Sequence, residues 1–469
     1  MTSSKTSKEK YVVLSITLVF LIIIFLLSFT PRLLAESNET EDEDLLNKLL
    51  QLQQTLQFIQ DYYVDEEKVT TDQLMEGAMK GMFDSLGDPH SMYLSEKEMK
   101  DMQETTTGKF GGVGLFIYKD EEGTEVSRPI PGTPAYKAGV LAGDLIIAVN
   151  GENIVGMEID DVVDRLKGVP GTEVTMTIRR GKTRVFDITV VRDNIELPTV
   201  TRDMILKDIA YLHIIQFTPL TDERVIEALD YFKKNNYKAL IIDLRSNPGG
   251  LLDSVVKVAD HFFEPGQLLV GTKSRIPEEE IEFYSQKKKL VSDDIPIVIL
   301  TDQFSASASE ILTGALKDTG RAYVIGQNSY GKGSVQQIRG IGGAGFRLTI
   351  AKYYTPNKIF IDGKGIAPDK EIKEATLTDE EEASLQRFLD KNKITQFLED
   401  NPAPSEKDIN VFLKQIKQEG YTIQDRYIRK LIRNEINRTN NDPPVYDLDF
   451  DLELQEAVYY IRHYKGEAQ

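Results

Sequence analysis

The sequence predicts a multidomain α/β protein that begins with a membrane helix and a helical segment. Its 469 residues are enough for roughly three domains at about 150 residues each. An uncharged, apolar stretch occupies residues 11–29. Between residues 238 and 354, β-branched runs alternate with amphipathic helical patterns, and this alternation is typical of α/β domains.

The composition excludes several classes of function. The chain has 75 acidic and 56 basic side chains and a formal net charge of −19, so it is a poor candidate for nucleic-acid binding. Cysteine is absent, which excludes disulfides, thiolate zinc sites and a cysteine nucleophile. The four histidines form no H-E-x-x-H pattern of a zincin-type site. We expect neither a metal nor a cofactor.

Residues 11–29 are long enough to cross a membrane. As a helix they reach about 28 Å, close to the thickness of the hydrocarbon core. Lysines precede the stretch and acidic residues follow it, which places the N-terminus in the cytoplasm and the bulk of the chain on the extracytoplasmic side. We therefore interpret residues 1–35 as a cytoplasmic stub and a single-pass anchor. A cleaved signal peptide ending near Ala35 is the alternative, although Leu33 fits a cleavage site poorly.

Residues 36–98 form a helical N-terminal segment with a heptad pattern. Apolar side chains recur at spacings of 4 and 3. These positions are Leu45, Leu49, Leu52, Leu56, Ile59 and Tyr63. Because the run is shorter than three heptads, it does not establish a coiled coil. A helix packed on its own chain and a helix that forms a homodimer both remain open.

Residues 99–192 have the pattern of a peptide-binding module. A glycine-rich turn, G-K-F-G-G-V-G-L-F, runs into an apolar strand and can aim backbone N–H groups at an anion. P-G-T-P-A-x-x-A-G and then G-D-x-I-x-x-V-N-G follow between residues 131 and 151. With the short helix and two strands after them, these motifs resemble a PDZ domain. Such domains add an extended peptide to a sheet edge and hold its C-terminal carboxylate in a backbone nest.

The PDZ resemblance implies where a peptide binds. Its carboxylate would lie at the glycine-rich turn, at Gly112, Val113, Gly114 and Leu115. Val162 and Leu166 of the following helix would line the groove. A PDZ-shaped spacer without a ligand is the alternative.

Three serines precede a helix in the candidate catalytic region. They are Ser305, Ser307 and Ser309, in the run T-D-Q-F-S-A-S-A-S-E that follows a buried strand. Ser307 fits the S-x-x-E capping box, but a serine at a helix start also lies beside free N–H groups and the positive end of the dipole. The N–H of Ala308 could there stabilise an oxyanion formed by attack of Ser307.

Lys332 is the candidate base for such a serine. It lies between two glycines, and a lysine can act as a base when burial keeps it neutral. Ser–Lys pairs are a known variant of the catalytic triad. In an extended strand Lys332, Ser334 and Gln336 share one face, and the Gln336 amide can hold the amine without charging it.

A nucleotide-binding loop is a competing interpretation of the same region. Residues 326–332 read G-x-x-x-x-G-K. The next residue is Gly333, where Mg²⁺ binding needs Ser or Thr, and a strand-like stretch follows instead of a helix. The sequence therefore does not favour an ATPase.

The whole layout resembles the carboxy-terminal processing peptidases, or tail-specific proteases. The matching motifs are D-L-R-S-N-P-G-G, F-S-A-S-A-S-E-I, Y-G-K-G-S-V-Q, L-T-I-A-K-Y-Y-T-P and G-K-G-I-A-P-D. With the PDZ pattern they cover roughly residues 55–375. The resemblance implies a layered α/β protease core over residues 193–375, related to the Clp-protease and crotonase folds. It also implies cleavage of proteins near free C-terminal tails, outside the cytoplasm and without a cofactor.

The same resemblance implies the catalytic roles. Ser307 would be the nucleophile, a choice that spacing alone does not make among the three serines, with Lys332 as general base and Gln336 as orienting amide. The oxyanion hole would use the backbone N–H groups of Ala308, Gly249 and Gly250. Family members often carry arginine where this chain has Lys167, so a role of that arginine in sensing peptide does not carry over.

Residues 376–469 are charged and mostly helical, without a chemical motif. We expect a docking or dimerising element there. The alternative to an active endopeptidase is an inactive membrane-anchored PDZ scaffold, and the complete set of Ser307, Lys332 and Gln336 favours the enzyme. The sequence names no substrate, oligomeric state or adaptor.

Overall fold

The computed structural model describes residues 42–373, 377–438, 440 and 443–463. The chain divides into two units, residues 1–93 and residues 94–469. The predicted anchor at residues 11–29 lies outside the described residues. Among the helices of the described ranges, none combines the length and the apolar character that a membrane crossing requires.

The first unit is helical where it is described. Its elements are α1 (42–62), a 3-10 turn (Glu66–Lys68) and α2 (Thr71–Asp84). The heptad positions fall on α1. Leu45, Leu49 and Leu52 are 57%, 54% and 43% exposed, whereas Leu56 and Ile59 are half-buried. The first half of the seam therefore presents apolar surface, and its self-association stays a prediction.

The second unit starts with a helix and a small β-rich domain. A short strand, β1 (Met92–Leu94), spans the boundary between the units. The elements that follow are α3 (Glu96–Thr107), β2 (Lys109–Gly112), β3 (Leu115–Asp120), β4 (Gly123–Pro129), α4 (Pro134–Lys137), β5 (Leu145–Val149), β6 (Glu152–Asn153), α5 (Ile159–Leu166), β7 (Glu173–Arg180), β8 (Arg184–Val191) and β9 (Asp193–Glu196). Antiparallel strands in the order β3-β4-β5-β7-β8 form its main sheet, and β2 pairs with β9.

Strands and helices alternate over most of the following 170 or so residues, as the sequence predicts. The elements are β10 (Val200–Ile205), β11 (Ile209–Ile214), α6 (Thr221–Lys234), β12 (Ala239–Asp243), α7 (Leu252–Asp260), β13 (Leu268–Ser274), β14 (Glu282–Tyr284), β15 (Ile297–Thr301), α8 (Ala308–Asp318), β16 (Ala322–Gly326), β17 (Ser334–Ile341), β18 (Ala344–Tyr354) and β19 (Lys370–Glu371). The central sheet has the order β10-β11-β12-β15-β16-β19. Only its β10–β11 pair is antiparallel among these described strands.

The central sheet is covered on both faces. Every residue of β12 and of β15 is buried, which explains why these strands are continuous apolar runs without alternation. One face packs against α6, α7 and α8 through residues such as Leu240, Ile242 and Ile299. The alternate residues, such as Ile241 and Val298, pack against a helix from the C-terminal part of the chain. The prediction of a layered α/β arrangement agrees with this architecture.

A second, antiparallel sheet lies beside the central one. The long strand β18 pairs with β17 along its first part and with β13 at its end. The irregular segment after Ser274 contains a 3-10 turn (Pro277–Glu279) and then β14, which pairs with β13. Strand β17 begins two residues after Lys332, so this sheet carries the candidate base.

The C-terminal part forms two separate structures instead of one helical region. Its elements are α9 (Asp379–Asp390), α10 (Lys393–Asp400), α11 (Glu406–Gln418), α12 (Asp425–Arg438) and α13 (Leu452–His463). Helices α9 to α12 share their own apolar core, which includes Phe388, Phe412 and Ile432. Helix α13 instead buries Leu454 and Ala457 against the central sheet. The docking or dimerising role predicted for residues 376–469 stays a prediction, and α13 is a layer of the core itself.

Candidate active site

The predicted catalytic residues lie on loops that leave the same edge of the central sheet. Strands β12, β15 and β16 are parallel neighbours, so their carboxyl ends meet at one edge. Backbone hydrogen bonds join the three loops. Ala306 N donates to Asn247 O over 3.0 Å, and Tyr330 N donates to Ser305 O over 3.0 Å. Segments far apart in sequence therefore form one site.

Ser307 has a strained backbone at the start of α8. Its φ of 55° and ψ of −111° are a conformation that residues other than glycine rarely adopt, and such strain often marks functional positions. The N–H of Glu310 donates to the backbone oxygen of Ser307 over 2.9 Å, and Ser307 is partly exposed. This N–H therefore has a backbone acceptor, so α8 does not depend on the Ser307 hydroxyl for its cap.

The neighbouring serines have structural roles. Ser305 and Ser309 are fully buried. The Ser305 hydroxyl donates to Leu244 O over 2.8 Å, and the Ser309 hydroxyl donates to Asn247 O over 3.0 Å. Both hydroxyls therefore fasten the loop after β15 to the loop after β12. Spacing left three candidate nucleophiles, and the geometry favours Ser307.

Glu310 joins the nucleophile loop to the base loop. Its side chain is fully buried. Oxygen Oε2 accepts the N–H of Ser307 and the N–H of Lys332, each over 2.8 Å. Oxygen Oε1 accepts the Ser329 hydroxyl and the Gly331 N–H, each over 2.6 Å. Burial raises the pKa of Glu310, and these hydrogen bonds oppose the rise.

The sequence analysis missed this role of Glu310. The S-x-x-E motif predicts two bonds within the capping box, and of these the Ser307 N–H donates to the Glu310 carboxylate over 2.8 Å. The bonds to Gly331 and Lys332 connect residues more than twenty positions apart. A glutamate in an otherwise small and apolar helix start was the available signal.

The environment of Lys332 favours a neutral amine. Burial lowers the pKa of Lys332, the positive charge of Arg347 lowers it further, and Glu310 opposes both effects. The flanking glycines permit close packing of the loop: a Cβ on Gly333 would lie 2.1 Å from the backbone N of Asp362. A lysine with a depressed pKa is suited to accept a proton from serine.

Gln336 lies in β17 opposite an irregularity in β18, where Ile350 has no partner in the register. The register between β17 and β18 shifts between Val335 and Gln336, and such bulges re-aim side chains next to active sites. Gln336 Nε2 donates to the Ser334 hydroxyl over 2.7 Å and to Thr349 Oγ1 over 3.4 Å. Ser334 and Gln336 thus lie together, as their shared face predicts. Within the described residues the amide oxygen has no donor, so it is available to an amine.

The predicted oxyanion hole needs one correction. Gly249 N donates to Asn247 Oδ1 over 2.8 Å, so this N–H is already committed in the structure. The N–H groups of Ala308 and Gly250 have no acceptor in the part of the chain that the structure describes. A Cβ on Gly249 would lie 2.8 Å from the Ser307 Cβ. The glycine at this position therefore lets the loop approach the nucleophile.

Arg245 braces the loop that carries these glycines. Its guanidinium bonds to Asp243, to Asp451 (Nη2–Oδ2 2.6 Å) and to Glu453 (Nη1–Oε2 2.6 Å). Burial alone would raise the pKa of Asp243, but the Arg245 guanidinium holds it below its usual range. The brace links the loop to the start of α13.

The glycine-rich turn of the β-rich domain has the predicted nest. The carbonyls of Val113 and Gly114 accept the N–H groups of Ala135 and Ile130, each over 3.0 Å. The N–H groups of Val113 and Gly114 have no acceptor within the described ranges. Leu115 begins β3 next to them, and Gly112 ends β2. Backbone donors are therefore free where the sequence predicts a bound carboxylate.

The predicted groove residues are placed differently from the expectation. Val162 and Leu166 are 0% and 5% exposed and pack with Val113 in the core of the domain. They fill the domain interior and do not line an open groove. Lys167 bonds to Glu104 of α3 over 2.8 Å, and its ammonium lies 5.1 Å from the ring centre of Phe110.

No group of three or more metal-ligating side chains that could hold a metal ion occurs among the residues that the structure describes. The groups at the candidate site are a serine, a lysine, an amide and backbone donors. These groups are the parts of a Ser–Lys acyl-transfer site.

The chain matches three known families over separate stretches. Residues 208–372 match peptidase family S41, residues 125–180 match the PDZ domain, and residues 29–98 match the activating protease CtpB N-terminal domain. The first two stretches contain the candidate catalytic residues and most of the β-rich domain, respectively.

Similar proteins cover most of the chain. It is 43% identical over 302 residues to the carboxy-terminal-processing protease of Bartonella bacilliformis, covering 63% of this chain and 69% of that protein. It is 34% identical over 404 residues to a Staphylococcus epidermidis protein described as "Probable CtpA-like serine protease", covering 84% and 81%. It is 32% identical over 326 residues to the carboxy-terminal processing protease CtpA of Bacillus subtilis, covering 69% and 68%.

Proposed function

Because the chain belongs to the carboxy-terminal processing proteases of peptidase family S41, we propose that Ser307 and Lys332 perform its peptide-bond hydrolysis. The observation that carries the assignment is that the backbone N–H groups of Ser307 and Lys332 both donate to one buried carboxylate oxygen, Glu310 Oε2. The strained backbone of Ser307 and the depressed pKa of Lys332 support it independently.

In the first step, Lys332 Nζ takes the proton of the Ser307 hydroxyl as Oγ attacks the carbonyl carbon of the scissile bond. The tetrahedral intermediate collapses to an acyl-enzyme. Protonated Lys332 gives its proton to the leaving amine. Water then attacks the acyl-enzyme with Lys332 again as base, and Ser307 is released with its proton.

The developing oxyanion is stabilised by the N–H groups of Ala308 and Gly250. Among the described residues neither N–H has another acceptor, whereas Gly249 N bonds to Asn247. Donors held in advance at the site need no rearrangement in the transition state. The free oxygen of Gln336 accepts from the Lys332 amine and orients it without adding a negative charge.

The PDZ domain selects substrates by their free C-terminal tails. Within the described part of the chain the N–H groups of Val113 and Gly114 have no acceptor, which supports binding of a carboxylate at this turn. Because Val162 and Leu166 are buried, the side chains that contact the tail lie elsewhere on the domain. Protein substrates with apolar tails are the expected class.

The enzyme acts outside the cytoplasm, anchored through residues 11–29. The support is the uncharged run with lysines before it and acidic residues after it, which is the pattern of the positive-inside rule. The exposed leucines of α1 support a homodimer formed through this helix. A protease core related to the Clp-protease and crotonase folds completes the proposal.

Covalent labelling tests the catalytic assignment. The full chain in detergent is incubated with an unfolded protein that ends in a free apolar tail, and cleavage is followed by mass spectrometry. A serine-directed fluorophosphonate should modify Ser307 and stop cleavage. Modification of Ser305 or Ser309 with equal loss of cleavage would contradict the assignment.

A further inference from the structure

Two large aromatic side chains stand in solvent beside the nucleophile and the base. Phe304 is 59% exposed and Tyr330 is 61% exposed. Their neighbours Ser305, Ala306 and Ser329 are at most 7% exposed. The two rings are thus large apolar groups that these loops present to solvent, next to the exposed polar side chains of Gln303 and Asn328.

Tyr330 is held on both sides by one oxygen atom. The Ser329 hydroxyl and the Gly331 N–H both donate to Glu310 Oε1. The N–H of Tyr330 itself donates to Ser305 O over 3.0 Å. The backbone that carries this ring is therefore fixed on a buried anchor, and the ring projects from a rigid support.

Phe304 is fixed in a comparable way. Its N–H donates to Asp302 Oδ1 over 3.0 Å. The next residue, Ser305, is tied to the β12 loop through its hydroxyl. Phe304 and Tyr330 are therefore carried by loops that bond to each other. Along the chain Phe304 is three residues from Ser307, and Tyr330 is two residues from Lys332.

Neither ring contributes to the core of the fold, and both expose apolar surface to water. Aromatic side chains on rigid supports are efficient binding groups, because little conformational entropy is lost when a ligand covers them. We propose that Phe304 and Tyr330 form two apolar subsites for the substrate side chains next to the scissile bond. The inference rests on the proposed catalytic roles of Ser307 and Lys332 and adds a substrate class, namely extended chains with large apolar residues at the cleaved bond.

The experiment uses four peptides that differ only in the residues on the two sides of one cleavable bond. These residues are Leu–Leu, Leu–Gly, Gly–Leu and Gly–Gly, and all four peptides end in the same free tail. We expect kcat/KM of the full-length enzyme to fall by roughly 10- to 100-fold for each Leu replaced by Gly. The loss should lie mainly in KM, since the subsites bind and do not react.

Two alanine variants then assign the subsites. Tyr330→Ala and Phe304→Ala should each remove the preference for Leu on one side of the bond. Tyr330→Phe should keep the preference, because the ring is retained. Tyr459→Ala is the matched control, since Tyr459 on α13 is also 59% exposed. The thermal midpoint of each variant is measured alongside.

The outcomes separate this inference from the catalytic proposal. Equal losses for all four peptides in Tyr330→Ala and Phe304→Ala would show a structural effect and overturn the subsites. An unchanged ranking of the peptides in both variants would overturn them as well. If the Ser307→Ala variant cleaves the peptides as fast as the unmodified enzyme does, the catalytic proposal fails instead.

Discussion

Ser307 and Lys332 donate their backbone N–H groups to the same atom, Oε2 of Glu310, each over 2.8 Å. The two residues follow different strands of the central sheet and are 25 positions apart in the sequence. A single buried carboxylate therefore sets the distance between the start of α8 and the loop before β17. Any change that shifts one loop is transmitted to the other.

The first prediction concerns the catalytic pair. Ser307→Ala and Lys332→Ala should each lower kcat/KM by roughly 10⁴- to 10⁶-fold, as loss of a member of a catalytic triad does. The fold should be retained, because neither side chain belongs to the core. Ser309→Ala is the control, and its effect should be limited to stability. Peptide hydrolysis and circular dichroism measure the two properties. Full activity of Ser307→Ala would refute the assignment.

The second prediction is a rise of activity with pH. Because burial and Arg347 lower the pKa of Lys332, the amine loses its proton below the ordinary value of ~10.4. The folded state holds this proton less tightly than the unfolded state, so the residue destabilises the protein at low pH and the penalty disappears as pH rises towards ~10.4. A plot of kcat/KM against pH should rise as Lys332 loses its proton. EDTA should have no effect on the rate. Inhibition by EDTA that zinc reverses would contradict a metal-free mechanism.

Two variants test the electrostatics behind this profile. Gln336→Glu places a carboxylate near the amine, and Arg347→Gln removes a positive charge. Both should raise the pKa of Lys332 and move the rising limb of the profile to higher pH. Gln336→Ala should lower activity less than Lys332→Ala does. Identical profiles in all variants would mean that neither side chain faces the amine.

The third prediction concerns Glu310. In Glu310→Gln an NH₂ group replaces one oxygen that now accepts two hydrogen bonds, and it cannot accept either of them. We expect a loss of roughly 10²-fold in kcat and about 1–3 kcal/mol in the free energy of unfolding. Glu381→Gln makes the same change at an exposed capping box on α9, so it should cost far less. A Glu310→Gln enzyme with wild-type kcat would show that the shared oxygen does not set the geometry.

The fourth prediction concerns tail recognition. A substrate with a free apolar C-terminus should be cut faster than the same chain ending in an amide. A coupling of ~1–3 kcal/mol between the PDZ domain and the protease would make cleavage of the free-acid substrate roughly 5- to 150-fold faster. Initial rates of the paired substrates measure the effect. Equal rates would rule out carboxylate recognition by this domain.

Paired substrates test tail recognition better than a mutation that blocks the glycine-rich turn. Gly114 has a φ of 82°, and a Cβ there would lie 2.3 Å from the Cβ of Thr133. Gly114→Glu would therefore distort the turn itself. A loss of tail preference in that variant would not distinguish a blocked nest from a damaged one.

The features that the sequence predicted correctly are those that local motifs indicate. The α/β class, the PDZ domain and the protease family were all predicted, and the comparisons confirm the family. The alternation of apolar runs was sufficient for the class, and long motifs in the right order were sufficient for the family. These signals do not depend on which distant segments meet.

The features that the sequence did not predict depend on long-range packing. The hydrogen bonds that Glu310 accepts from Gly331 and Lys332 require that β15 and β16 are neighbours. The commitment of Gly249 N–H to Asn247 is a detail of one tight turn, which a glycine pair alone does not reveal. The packing of α13 on the central sheet was not predicted either, because a local pattern does not show the sheet face that buries Leu454.

The Arg245 brace has a consequence for the time at which the enzyme becomes complete. Its partners Asp451 and Glu453 are 206 and 208 residues further along the chain. At about 5–20 residues per second, synthesis of this stretch takes roughly 10–40 s. Over its last 119 residues, from Lys332 to Asp451, or roughly 6–24 s at this rate, the nascent chain carries Ser307 and Lys332 without the helix that covers the sheet. Nascent chains stalled before residue 443 should bind no serine-directed probe, whereas labelling of such chains would show that the site matures early. Newly made copies would thus be spared from cutting the unfolded proteins around them until their own synthesis is nearly finished.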